Sequence, residues 1–262
     1  MIPGGSWLYL LSAVAGLIAG SFANVCIYRL PRGQSIVRPA SRCPSCRAPI
    51  KPWHNVPIAS YLVLRGRCRA CGESIPARYP VVEALTGLLF AAAACRYGAT
   101  PATLFYFLFI TAMVVITFID YDFQIIPDEI TLPGIPAGIL AAWLFLPDPF
   151  RRDLDMGIAV SVMGAVTGFA LYYAIAFLSR GGMGGGDVKM MTMAGAALGW
   201  KGVLLTTFLA SLMGSGVGLY LMAFKGRGRK TKIPFGPFLA AGALTSLFFG
   251  QEIVSWYLRY GR

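Results

Sequence analysis

Two aspartates and four cysteines stand out among the residues whose type and spacing could carry chemistry. Asp120 directly follows 23 uncharged residues, the place where a chain would leave a bilayer. Ionisable groups at that depth are costly to bury and usually serve a function. Asp187 ends the run Gly181-Gly182-Met183-Gly184-Gly185-Gly186 and, with Val188 and Lys189, leads into a short apolar stretch. Two carboxylates brought close cannot both ionise and so share a proton. Such a pair suits peptide hydrolysis: one carboxylate takes a proton from water while the other protonates the carbonyl oxygen. Rival chemistries are short of residues. The single histidine, His54, excludes an HExxH zinc site, and a Ser-His-Asp triad would have to rest on it. The glycine run could form a phosphate-cradling nest, but no GxxxxGK[ST] follows it, which argues against a nucleotide site.

The cysteines fall into two pairs, Cys43-Pro-Ser-Cys46 and Cys68-Arg-Ala-Cys71, with 21 residues between them. Paired CxxC knuckles in a reducing compartment read as a tetrahedral zinc site. With four thiolates the metal has no open position, so its role is structural. The turn at Cys71-Gly72 is that of a knuckle whose backbone amides face the sulfurs. A segment of about 50 residues is too small for a self-sufficient core, and metal would supply the missing folding energy. Cys26 and Cys95 lie in apolar runs and read as core residues; His54, beside Trp53, reads as a surface or zinc-module residue.

The elements that must position these groups are membrane helices. Of 262 residues, 56% are hydrophobic and 13% are charged, about half the usual charged share of roughly 25%. Uncharged runs cover 7–28, 97–119, 130–147, 156–179, 202–224 and 233–251, each near the roughly 20 residues that cross a hydrocarbon core. A water-soluble enzyme is excluded. Two more segments, 84–95 and 190–200, are apolar but short; extended back to Pro80 and Glu83, the first becomes a plausible span. Six spans are the floor and eight are expected, in an all-α polytopic fold. The connection 147–155 reads as the longest external loop, and Gly195, Gly199, Gly214, Gly216 and Gly218 read as helix-packing positions.

The net charge of +12 does not point to nucleic acid, because of where the charges sit. Seventeen of the 23 basic residues lie at 29–78, at Arg180 and Lys189, and at 225–232; the other six are scattered over the alternate loops. That asymmetry places the first group in the cytoplasm, against anionic lipid headgroups. The first run lacks a basic flank before it and reads as an uncleaved anchor with its N-terminus outside. Three regions follow: a first transmembrane helix at 1–29, a basic, Pro-rich cytoplasmic insert carrying the four cysteines at 30–79, and a membrane body at 80–262. No internal repeat and no low-complexity tract is apparent.

On this topology an inward third span and an outward sixth put Asp120 and Asp187 on one face. The positive end of the sixth helix assigns the ionised role to Asp187 and the protonated role to Asp120, at a helix C-terminus. Seven of the eleven acids, Glu73, Glu83, Asp120, Asp122, Asp128, Glu129 and Asp187, map to that face. Asp122, Asp128 and Glu129 equally fit the solvation of a loop, and Asp187 equally fits a helix cap.

The ordered set of motifs resembles the type 4 prepilin peptidases, membrane aspartyl proteases of the GxGD class, over nearly the whole chain. The likeness is carried by Gly20-Ser21-Phe22 with Asn24, Ile27-Tyr28-Arg29-Leu30-Pro31, both CxxC pairs, Asn55-Val56-Pro57, Leu64-Arg65-Gly66-Arg67-Cys68 and Arg78-Tyr79-Pro80 with Glu83. It continues through Asp120 to Pro127-Asp128, Gly182-Met183-Gly184-Gly185-Gly186-Asp187-Val188-Lys189 and Ile233-Pro234-Phe235-Gly236-Pro237-Phe238. The resemblance implies eight membrane helices and a bacterial inner-membrane enzyme with its active site facing the cytoplasm. It implies that Asp120 and Asp187 are the catalytic pair, with Asp122, Asp128, Gly184, Gly186 and Lys189 around them. It further implies cleavage of prepilins and pseudopilins after a Gly that ends a basic leader, then methylation of the new N-terminus from S-adenosylmethionine. Glu83 is a candidate for that second activity. The alternatives are a peptidase without methyl transfer, a transporter or channel in which the aspartates bind protons or cations, and an assembly scaffold docked through the zinc ribbon.

Overall fold

Long apolar runs bounded by Gly, Pro and charged residues give long helices, and the computed structural model describes them over residues 5–179, 182–225 and 233–260. The helices are α1 (Gly5–Arg29), α2 (Ala59–Val63), α3 (Arg78–Tyr97), α4 (Pro101–Phe123), α5 (Asp128–Leu144), α6 (Gly157–Leu178), α7 (Gly185–Lys225) and α8 (Gly236–Tyr260). Six of them, α1, α3, α4, α6, α7 and α8, are long and apolar enough to cross a membrane. The 17 residues of α5 lie at the lower limit for a span. Gly199 breaks α7 with φ 70° and ψ 176°, a conformation that an L side chain resists. Eight helical rods therefore arise, as the runs predict, with the sixth and seventh joined through Gly199. The fold is that of an all-α polytopic membrane protein. Arg180 and the basic run 226–232 lie outside the described residues.

The chain forms two compact units, Met1–Val115 and Ile116–Arg262. This division falls inside α4. In the first unit, α1 and α3 approach backbone to backbone. A Cβ added at Gly16 would lie 2.7 Å from the Gly87 Cα, and one at Gly20 2.7 Å from the Glu83 Cα. Asn24 Nδ2 donates to the Tyr79 carbonyl at 3.1 Å, and Phe90 stacks on Phe107 with centroids 4.0 Å apart. Thr100 caps α4 by accepting the Thr103 N–H. Arg29, at the end of α1, donates to the carbonyls of Ser35 and Pro39 and so turns the chain into the insert.

The insert contains an internal repeat, which corrects the sequence reading. Cys43 N donates to Ala48 O, Arg47 N to Cys43 O and Ile50 N to Ser41 O; Cys68 N donates to Glu73 O, Gly72 N to Cys68 O and Ile75 N to Gly66 O. The second set is the first displaced by 25 residues, and the bridges Arg42–Pro49 and Arg67–Ser74 repeat likewise. Only Arg, the two cysteines and Ile coincide between the stretches 42–50 and 67–75, too few to register as sequence similarity. The left-handed position is filled by Gly72 (φ 73°) in one knuckle and by Arg47 (φ 58°) in the other.

In the second unit α7 packs on α5, α6 and α8. Gly164 and Gly168 of α6 lie against the backbone of Gly195, Gly199 and Met191 of α7, leaving no room for a Cβ. Ser161 Oγ donates to Ala196 O at 2.7 Å. Tyr172, one turn beyond Gly168, donates to Thr207 Oγ1 at 3.2 Å. Residues 191 and 207 are thus neighbours of successive turns of α6, which shows that the chain reverses at Gly199. The packing expectation holds at Gly195 and at Gly199, which is also the break, and fails at Gly216, which has open space around it. The 147–155 connection is a small hairpin, β1 (Pro147–Asp148) with β2 (Arg151–Asp155). Cys26 is in the core, whereas Cys95 is exposed. A membrane helix can present an apolar residue to lipid, so an apolar run does not by itself mean a core position.

Candidate active site

Asp120 occupies the last turn of α4, and its carboxylate is buried, 6% exposed. Its Oδ2 accepts the backbone N–H of Gly236, the first residue of α8, at 2.8 Å. This partner lies 116 residues away. Asp120 also ends its helix locally: Gln124 N donates to the Asp120 carbonyl at 2.9 Å, and Gln124 adopts φ 54°.

Asp187 stands in the first turn of α7, three residues after Gly184. The Gly184 N–H donates to Asp187 Oδ2 and the Asp187 N–H donates to Gly184 O, both at 3.2 Å. An acid at the third helical position reaching back to the preceding cap residue satisfies one of the donors left unpaired at a helix start. The cap reading of Asp187 is thus realised, by a side chain at N3 and not at the cap position itself. Gly186 brings this turn against the segment following Asp120, since a Cβ there would sit 2.8 Å from Ile126 Cβ. Asp187 is half-buried and within reach of the Asp120 charge; its own charge reaches the buried Tyr172 ring.

Each carboxylate therefore receives a backbone N–H from the start of a helix, α8 for Asp120 and α7 for Asp187. That removes the basis for dividing the two roles by helix ends. The unequal feature is burial: Asp120 is closed in, while Asp187 stays partly open on a glycine turn.

Asp128 opens α5, and both of its oxygens accept from Lys189 Nζ, at 2.8 and 2.7 Å. The pair is 40–50% exposed, so it ties α5 to α7 weakly and removes Asp128 from any free acidic patch. Asp122 and Glu129 are exposed. Glu83 belongs to the first unit. Its Oε2 accepts the N–H of Ile58 at 2.7 Å, its carboxylate also bonds Ser21, and the side chain is buried. Ile58 has φ 58°, rare for a β-branched residue, and Glu83 pins it there. Ser21 also lines a cleft of about 630 Å³ between α1 and the insert.

The sulfurs of Cys43, Cys46, Cys68 and Cys71 all lie within 4.8 Å of one another. Zinc–sulfur bonds of about 2.3 Å in a tetrahedron place sulfurs about 3.8 Å apart, and the Cys43–Cys71 separation is 3.9 Å. The donor set fits zinc. Backbone N–H groups of Cys71 and Ala70 aim at the Cys68 sulfur and draw its thiol down to about 7, while burial and the neighbouring thiols push Cys71 up to about 12. Arg69 donates to His54 Nε2 at 2.7 Å, so His54 braces the insert.

The Gly236 contact is the feature that the sequence reading missed. Its signal was a glycine set between prolines, Pro234-Phe235-Gly236-Pro237, at the start of an apolar run.

Comparison with known proteins covers nearly all of these elements. The model of the bacterial peptidase A24 N-terminal domain matches residues 14–118, and that of the type IV leader peptidase family matches 107–219. The chain is 35% identical to the prepilin leader peptidase/N-methyltransferase of Pseudomonas putida over 274 residues, 93% of this chain and 91% of that one. It is 34% identical to the protein of that name from Legionella pneumophila over 279 residues, 97% and 96% of the two chains. With the Myxococcus xanthus protein of that name it shares 41% over 219 residues, 82% of this chain and 63% of that one. No solved structure matches.

Proposed function

The chain belongs to the type IV leader peptidase family, and from that premise we propose that it is a two-activity enzyme of the bacterial inner membrane. It cuts the basic leader from prepilins and pseudopilins after a Gly, then methylates the new N-terminus. Asp120 and Asp187 are the catalytic pair, facing the cytoplasm. The observation that carries this reading is the buried Asp120 carboxylate within electrostatic reach of Asp187, each held by a helix-start N–H.

Hydrolysis by such a pair runs as follows. The two carboxylates share one proton, and the scissile carbonyl accepts it as water attacks. The other carboxylate takes the proton released by that water. Collapse of the tetrahedral gem-diol breaks the C–N bond: the amine leaves with a proton from one carboxylate while a gem-diol hydroxyl returns its proton to the other, which restores the singly protonated pair. The titration belongs to the pair as a unit. Asp122 meets the basic leader, while Gly184, Gly186 and the Asp128–Lys189 pair shape the surroundings. The apolar part of the substrate enters from the lipid.

Cys43, Cys46, Cys68 and Cys71 hold a structural zinc whose bonds fold the insert. S-adenosylmethionine, the methyl donor, joins as a second substrate. Glu83 serves that reaction through the insert that it fixes. The three regions drawn from the sequence, 1–29, 30–79 and 80–262, are anchor, zinc module and proteolytic body.

The test is cleavage of a purified prepilin in detergent, with Asp120→Asn and Asp187→Asn run alongside and S-adenosylmethionine present. Cleavage abolished by either substitution, with a one-methyl mass gain on the wild-type product, is the expected result. Cleavage without that gain removes the methyl transfer. Substituted proteins that still cut remove the aspartyl mechanism.

A further inference from the structure

The start of α8 is built to deliver one backbone donor to one carboxylate. Gly236 is the first helical residue, and its N–H is among those that no intrahelical carbonyl can satisfy. Pro237 has no N–H, and the N–H groups of Phe238 and Leu239 both turn back to the Phe235 carbonyl. The donor that remains in this turn is Gly236, and it meets Asp120 Oδ2 at 2.8 Å in a buried setting. Space is restricted in the same way. A Cβ at position 236 would lie 2.7 Å from Asp120 Oδ2, 2.9 Å from its Cγ and 3.0 Å from its Cβ. Any side chain there pushes the whole carboxylate away.

We infer that Gly236 is a positioning residue for cleavage: its N–H and its missing side chain together hold the Asp120 carboxylate in the rotamer that faces water and substrate. The inference rests on the aspartyl reading above and adds a residue to it. With Oδ2 engaged by the backbone, Oδ1 is the oxygen left for proton exchange. A side chain at the end of α4 would otherwise sample several rotamers, and an acid displaced by about 1 Å can lose about 10²-fold in rate. Gly236 touches no substrate; it acts through Asp120.

The experiment measures kcat and KM for prepilin cleavage by full-length protein in detergent, for wild type, Gly236→Ala, Gly242→Ala and Asp120→Asn. Gly242→Ala is the steric control. It lies on the same helix, and its added Cβ would meet Thr206 O at a similar 2.8 Å, away from Asp120. Methyl transfer onto an already cleaved pilin, which needs no hydrolysis, is measured on the same preparations as the gauge of folded enzyme. The expected result is a kcat about 10²-fold lower for Gly236→Ala with KM within twofold, and a cleavage-to-methylation ratio that falls equally. Gly242→Ala keeps the wild-type ratio. A Gly236→Ala ratio within twofold of wild type, or an equal fall in Gly242→Ala, overturns the inference while leaving the aspartyl reading intact. Undiminished cleavage by Asp120→Asn overturns both.

Hydrogen exchange supplies a check that needs no substitution at Gly236. Removing the acceptor by Asp120→Ala speeds exchange at the first amides of α8, whereas Asp187→Ala does not. Equal exchange in wild type and Asp120→Ala overturns the inference.

Discussion

In the insert, four sulfurs converge from two nine-residue stretches, each of which folds its own knuckle through local hydrogen bonds such as Arg47 N to Cys43 O and Gly72 N to Cys68 O. At the end of α4, Asp120 is held by a residue 116 positions further on, and Asp187 reaches its place because Gly186 can lie against Ile126. The first region carries its geometry in its own short segments, and on the zinc reading proposed above the metal holds them together. The second is built into a core of packed helices, and its geometry exists only after distant segments have met. A site of local turns is robust in placement and fragile in stability; a site of helix ends is the reverse.

Stripping the metal tests that contrast most severely. Zinc supplies about 10 kcal/mol to small modules of this kind, so a chelator opens the insert to trypsin at its many Arg and Lys residues, while α5 to α8 stay protected. An insert equally protected without metal would break the comparison. Next in size, Asp120→Asn or Asp187→Asn lowers kcat by about 10⁴-fold, the upper range for a general acid or base. Both variants keep one zinc per chain by metal analysis and an unchanged trypsin pattern. Glu83→Ala leaves the Ile58 N–H without its acceptor, at about 1–3 kcal/mol. The tryptic rate in the insert rises accordingly, and Glu83→Gln, which retains an acceptor oxygen, moves it less. Smallest is the difference between the two knuckles. Gly72→Ala puts a Cβ on a left-handed residue at about 1 kcal/mol and weakens zinc retention against a chelator several-fold, whereas Arg47→Gly relieves the same strain and strengthens it.

What could be read from the chain follows the same division. Cys43, Cys46, Cys68 and Cys71 were legible because CxxC spacing is a local geometric instruction. Asp120 was legible because an acid directly behind 23 uncharged residues marks a costly position at a bilayer edge. The number of helices followed from the runs, and the ordered motifs were enough to name the family. Beyond the placing of Asp120 and Asp187 on one face, relations between distant segments were not legible. The Pro234-Phe235-Gly236-Pro237 run marks a special helix start but does not say that its N–H meets Asp120. Gly199 looks like Gly195 in sequence and packs on α6 as Gly195 does, yet of the two it alone breaks the helix. The knuckle repeat was hidden because hydrogen bonds of the backbone, which any residue can make, carry it. Asp128 reads in sequence as part of an acidic surface, and Lys189, 61 residues away, neutralises it.

The seam between α6 and α7 has a consequence for how this protein can change over time. Gly164 meets Gly195, and Gly168 meets Met191, with backbone against backbone, and close approach of this kind is what holds helices together where water cannot drive them. No single replacement at these three glycines is tolerable, because even a methyl group needs both helices to move, and a second replacement cannot compensate for the first. The seam is therefore closed to gradual drift. Descendants of this chain can vary the lipid-facing side of α6, at Val166, Phe169 or Tyr173, while its inner edge stays fixed.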